Sequence, residues 1–217
     1  MADPEMNTDK LISALAADAK ERPTSLSLVW YCSTAGAVAL AALVCFAMVD
    51  VRSDFATAVE SWRVLFKFAA AIALAIGAFG LAREISRPEG DWRAWRLTLA
   101  LAPALLLAGV AIELAVAPVD GWLARALGHN SLTCMISILL IGIGPLVLLL
   151  LAVRHGASTK PGLAGVIAGL TAGGIAAGLY ASHCTDDSPF FVALWYSLSV
   201  AGLAGIGAIA GRYFARW

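Results

Sequence analysis

CMISILLIGIGPLVLLLLAV, residues 134–153, is a run of twenty residues without one charged side chain. A helix needs about 20 such residues to cross the ~30 Å hydrocarbon layer of a bilayer. The run reads as a membrane span, and five more follow the same rule on either side of it. Apolar stretches lie at about 28–49, 64–82, 97–117, 162–182 and 190–211. The whole chain agrees. It is 60% hydrophobic and 14% charged over 217 residues, with a mean hydropathy of +0.82, where soluble domains carry about 25% charged residues. The expected fold is an all-α membrane protein with six transmembrane helices, preceded by a short N-terminal helix. Residues 1–27 form one segment and residues 28–217 the membrane domain. The formal net charge is zero, so nothing in the bulk charge favours nucleic acid as a partner.

Charge placement gives an orientation. Lys10, Lys20, Arg22, Arg83, Arg87, Arg93, Arg96, Arg154, Lys160, Arg212 and Arg216 fall on one side of the six spans. Arg52, Arg63, Lys67 and Arg125 fall on the other. The side rich in Lys and Arg is the cytoplasmic one, which puts both termini in the cytoplasm and the loops bearing His129 and His183 outside. Trp30, Tyr31, Trp62, Trp95, Trp122, Trp195 and Trp217 stand near span ends, as interfacial aromatic belts do, and Tyr180 and Tyr196 fit the same pattern. The first 27 residues are polar and the first apolar run is too long for a signal-peptide core, so a cleaved leader is not expected. Met6 is a second candidate start, which leaves residues 1–5 open.

The N-terminal segment carries a helical pattern over residues 7–22. Thr8 is placed to cap it, Pro23 ends it, and Leu11, Ile12, Leu15, Ala16 and Ala19 make one stripe. The stripe has few bulky residues and its charges are balanced. The stripe could dock back on the protein, lie on the bilayer surface or bind a partner; a bilayer-surface helix favours basic polar faces and larger apolar residues, which shifts some weight toward a protein partner.

Inside the spans there is little chemistry. Glu113 is the one acid well inside a run, which makes it a functional candidate by default, but its place near an outer helix end suits a solvated acid at least as well; Lys67, near another outer end, can snorkel. Gly165, Gly169 and Gly173 recur every four residues, and Gly202, Gly205, Gly207 and Gly211 follow in the last span. Small residues at this spacing let helices approach closely, which predicts a tight final hairpin. Pro103 and Pro145 are expected to kink their spans.

Of four cysteines, Cys32 and Cys45 fall within the first span and read as buried apolar residues. Cys134 opens the fourth span, and Cys184 lies in the outer loop His183-Cys-Thr-Asp-Asp-Ser-Pro189. Three readings stand for this pair: unrelated thiols, a disulfide, or a redox- or metal-responsive couple. His183 and His129 would add imidazole to the two sulfurs for a soft metal ion, although the spacing matches no zinc motif. Asp187 or Ser188 would cap the last span, with Pro189 in its first turn.

The stretches TDKLISALAAD (residues 8–18) and HCTDDSPFFVALWYSLSVAGLAGIGAIAGR (residues 183–212), with a cysteine opening the fourth span, resemble the NrsF-type membrane anti-sigma factors, negative regulators of sigma F. The resemblance implies a non-enzymatic protein of the bacterial inner membrane that holds an extracytoplasmic-function sigma factor. Its contact surface would be the N-terminal helix: Thr8, Leu11, Ile12, Leu15, Ala16 and Ala19. Polar residues of the second loop, Arg83, Glu84, Arg87, Glu89 and Asp91, would add contacts. The family's two outer cysteines correspond to Cys134 and Cys184, implicated in sensing heavy-metal or oxidative stress. No resident cofactor is implied, only a heavy-metal ion bound during signalling, and membrane lipid as surroundings. Two other classes remain in view. A membrane thiol–quinone oxidoreductase would need a second thiol pair and CxxC spacing, and a small transporter would need polar groups at mid-depth.

Overall fold

The computed structural model describes residues 8, 12–13, 25–87, 90–156, 158 and 160–214. Six helices long and apolar enough to cross a membrane run through them: α1 (Leu26–Met48), α3 (Trp62–Ile85), α4 (Arg93–Val116), α6 (Ser131–His155), α7 (Pro161–Tyr180) and α8 (Pro189–Phe214). Among the described residues, two short α-helices, α2 (Phe55–Ala58) and α5 (Trp122–Leu127), and a 3-10 turn (Val119–Gly121) interrupt the loops. All regular structure among the described residues is helical. A backbone in hydrocarbon has no water to bond, so each span must close its own hydrogen bonds. The spans therefore run a few residues past the apolar stretches, into sequence such as Arg93–Arg96 and Arg154–His155. Pro103 and Pro145 both sit inside unbroken helices.

Alternating spans leave α1 and α8 with their free ends at one face, called here the terminal face. The connections 49–61, 117–130 and 181–188 make up the opposite loop face. The closest pair is α7 with α8. A Cβ built on Gly165 would stand 2.0 Å from the Gly207 carbonyl oxygen, and one on Gly169 2.4 Å from that of Leu203. Glycine is what lets these backbones touch, as the four-residue spacing predicts. α7 also packs on α3 and α6, α1 packs on α6, and α4 packs on α3.

Several side chains depart from the sequence expectation. Trp30 is not a belt residue: it is fully buried against Phe79. Tyr180 and Tyr196 are also buried. Cys45 is buried, but Cys32 is exposed on the outside of α1. Glu113 is not a solvated acid. Its carboxylate is wholly enclosed and accepts hydrogen bonds from Arg63 (3.0 Å) and Arg125 (2.6 Å), two cations on one anion. A carboxylate at this depth is tolerated only when paired. The pairing also ties α3, α4 and α5 together.

Candidate functional site

α7 ends at Tyr180, and the chain turns back on itself. The Cys184 amide donates to the Tyr180 carbonyl at 3.1 Å, and the His183 amide to the same oxygen at 3.0 Å. This tight turn directs Cys184 inward, where it is only 3% exposed. Cys134, fully buried, stands in the first turn of α6. The two thiols interact directly and neither is in a disulfide. Around them lie Cys45, Ile138, Tyr180, Phe191 and Tyr196. The buried Tyr196 hydroxyl lies near the Cys184 sulfur and has no hydrogen-bond partner among the described residues. Tyr196 belongs to a short π-helical stretch, Val192–Tyr196, within α8, a distortion that often marks functional positions.

The loop is held by charge on its far side. Lys67 does not snorkel. Its ammonium is completely buried and donates to the Cys184 carbonyl (2.9 Å) and to Asp187 Oδ1 (2.6 Å). Arg52 reaches Asp187 Oδ2 at 2.8 Å and the Cys184 carbonyl at 3.3 Å, and it also pairs with Asp54. Asp187 is thus the counter-ion of two cations rather than a helix cap. Ser188 takes the N-cap position before Pro189 but makes no capping bond. Asp186 accepts the backbone amides of His129 and Asn130, each at 3.2 Å, and so docks the loop on the start of α6.

His183 and His129 are not drawn to the sulfurs. His183 Nδ1 lies 2.6 Å from the Asp50 carbonyl oxygen and so carries the proton it donates. His129 is almost fully exposed, 3.6 Å from Asp186. Among the described residues, no three His, Cys, Asp or Glu side chains converge on a point that would hold a metal ion. The chemistry the site offers is that of two thiols. The Cys134 thiol, by hydrogen bonding, lowers the Cys184 pKa to about 7; burial works against this, and the nearby Lys67 ammonium adds to it. A thiolate is the reactive form toward oxidants and soft metals. An opening of about 350 Å3, lined by Asp50, Arg52, Thr133, His183 and Cys184 among others, reaches Cys184 from the loop face.

Of the residues expected to contact a partner, Thr8 and Ile12 are helical and exposed. Leu11, Leu15, Ala16 and Ala19 lie outside the described residues, as does Glu89 of the second loop. In that loop Arg83 pairs with Glu84 and donates to Tyr31, while Arg87 donates to Ser27.

The model of the family described as "Negative regulator of sigma F" (NrsF) matches residues 15–217. The chain belongs to the NrsF family. Two curated relatives cover it almost end to end. The Anti-sigma-F factor NrsF of Caulobacter vibrioides is 36% identical over 98% of this chain and 100% of its own length. The Probable anti-sigma-F factor NrsF of Azospira oryzae is 29% identical over the same shares. No solved structure is significantly similar. The NrsF match takes in the whole bundle with Cys134 and Cys184, and starts after Thr8, Leu11 and Ile12.

Sequence reasoning missed Lys67, Arg52 and Tyr196 as parts of this site. A signal existed for the first two. Lone cations near outer span ends need a counter-ion, and Asp186 and Asp187 occupy the one polar loop on that side in the last third of the chain.

Proposed function

We propose that this chain is a membrane anti-sigma factor with its input and output at opposite faces. In this reading both termini are cytoplasmic, on the Lys/Arg-rich side of the bacterial inner membrane. Residues 7–22 hold an extracytoplasmic-function sigma factor, with Leu11, Ile12 and Leu15 seated in an apolar groove of the partner. The Cys134–Cys184 pair faces the periplasm and receives a heavy-metal or oxidative signal. No catalytic step on a substrate is involved.

One observation supports this reading: two buried free thiols, Cys134 and Cys184, that interact with each other, the Cys184 pKa lowered to about 7, at the face opposite the N-terminal end of α1. An oxidant that takes two electrons and two protons from the pair leaves a disulfide. A soft metal ion instead displaces the protons and bridges the sulfurs. Either event draws Cys184 toward α6, and the Cys184 carbonyl is held by Lys67 and Arg52. The loop, α6 and the α7–α8 hairpin then shift against their neighbours. α6 packs along α1, and α1 leads back to residues 7–22, so a change in that packing reaches the sigma-binding segment.

The test is co-purification of the sigma factor with the full chain in detergent. Leu15→Asp, or deletion of residues 1–22, is expected to weaken binding by about thirtyfold or more, as loss of a central apolar anchor does, while membrane insertion stays normal. Undiminished co-purification of either variant would refute the assignment of the output.

A further inference from the structure

α4 and α7 both pack on α3 but barely meet each other. Between them lies a cleft of about 800 Å3, opening at the terminal face and lined, among the described residues, only by these three helices and the turns joining them to their neighbours. Its depth is aliphatic: Leu99 and Pro103 from α4, Leu163 and Leu170 from α7, Leu74 and Leu81 from the α3 floor. Its mouth is cationic, with Arg87, Arg96 and Lys160. The carboxylate there, Glu84, already pairs with Arg83. Arg87 donates to Ser27. Arg96 lies over the Trp92 ring at 4.4 Å, and among the described residues neither it nor Lys160 is in an ion pair.

The cleft continues into a second cavity of about 240 Å3 that shares Leu74, Pro103 and Leu170 and runs on to Leu106. Arg96 to Leu106 is ten residues, as is Lys160 to Leu170, which is about 15 Å along each wall. That is half of a ~30 Å hydrocarbon core: the depth of one leaflet, with the cations at headgroup level. The inner end abuts Lys67 and Tyr196, both members of the cysteine site.

We propose that this cleft binds an anionic glycerophospholipid, its phosphate at Arg96 and Lys160 and one acyl chain between α4 and α7. The occupant must be apolar for about 15 Å and negative at one end, which is the shape and charge of such a lipid. The chain's own N-terminal segment does not fit this description. It carries Asp9, Lys10, Asp18, Lys20, Glu21 and Arg22, charges that resist burial at hydrocarbon depth.

Native mass spectrometry of the full chain with phosphatidylglycerol or phosphatidylcholine of matched acyl chains tests the site. One phosphatidylglycerol is expected to be retained in preference to phosphatidylcholine, and Arg96→Gln and Lys160→Gln each lower that preference by about fivefold. Leu163→Trp fills the cleft and lowers retention with the cations intact. A second measurement needs no variant: phosphatidylglycerol with a photoreactive acyl chain, in nanodiscs, labels the facing walls of α4 and α7. Equal retention of the two lipids, or labelling confined to the outward faces of the helices, overturns the proposal. So does competition by soluble glycerol 3-phosphate as effective as that by the lipid. Phosphatidylglycerol binding that appears only after deletion of residues 1–22 overturns it too, by making the N-terminus the native occupant.

Discussion

Lys67 shows how one buried charge can organise a membrane site. An ammonium enclosed by protein is unfavourable unless every donor finds an acceptor and its charge is met. Here the Cys184 carbonyl, the Asp186 carbonyl (3.5 Å) and Asp187 accept its three donors, and Asp187 meets its charge. Asp187→Asn removes the counter-charge and leaves the cation buried, which is expected to cost about 3 kcal/mol, read as a lowered thermal midpoint in detergent. Asp54→Asn removes the exposed partner of Arg52, which keeps its pair with Asp187, and should leave the midpoint near that of the unaltered chain. Cys184 is the second residue-scale case. Its pKa is lowered to about 7, chiefly by the Cys134 thiol and further by the Lys67 ammonium, so its alkylation by iodoacetamide should be half-maximal near neutral pH. Cys134→Ala removes the donor and should shift the profile to higher pH. Superimposable profiles would show that Cys134 does not set the reactivity of Cys184.

The α7–α8 hairpin depends on backbone contact between helices. In a bilayer there is no hydrophobic gain from burying one helix on another, so close packing must supply the association. Gly165 faces the Gly207 carbonyl with no room for a methyl group, while a Cβ on Gly205 meets nothing within 4 Å. Gly165→Ala should therefore destabilise the bundle by about 1–3 kcal/mol. Gly205→Ala should be neutral or stabilising by up to about 1 kcal/mol, from helix propensity alone. Thermal unfolding of the two single variants separates them, and similar midpoints would show that α7 and α8 do not pack as described. This hairpin also presents Cys184 at one end and Tyr196 beside it, so its rigidity fixes where the thiol pair sits.

Over the whole molecule, the proposed sensor and sigma-binding segment are joined through α6 and α1. If the thiols are the input, replacing both should break the response without breaking the hold. Cys134→Ser with Cys184→Ser is expected to co-purify with the sigma factor as the unaltered chain does, and to retain it when oxidant or cadmium is added. Normal release from the double variant would remove the cysteines from the mechanism. Loss of binding without any stress would mean that they support the fold rather than the signal.

Six spans, the glycine-packed hairpin and the family were legible in the sequence because each rests on local composition or spacing. Twenty uncharged residues, such as 134–153, have one stable solution in a bilayer, and glycines four apart lie on one helix face whatever the rest of the chain does. What each polar side chain does could not be read that way. Glu113 and Lys67 stand near span ends, where water and a buried partner are equally compatible with the sequence. Only the approach of α5 to α4 encloses Glu113 with Arg125, and only the return of the 181–188 loop over α3 gives Lys67 its acceptors. The same return brings Cys184 to Cys134 and leaves His183 and His129 with other partners. Pairing across tens of residues is decided by how helices pack, because a counter-charge or a thiol acts only at contact distance.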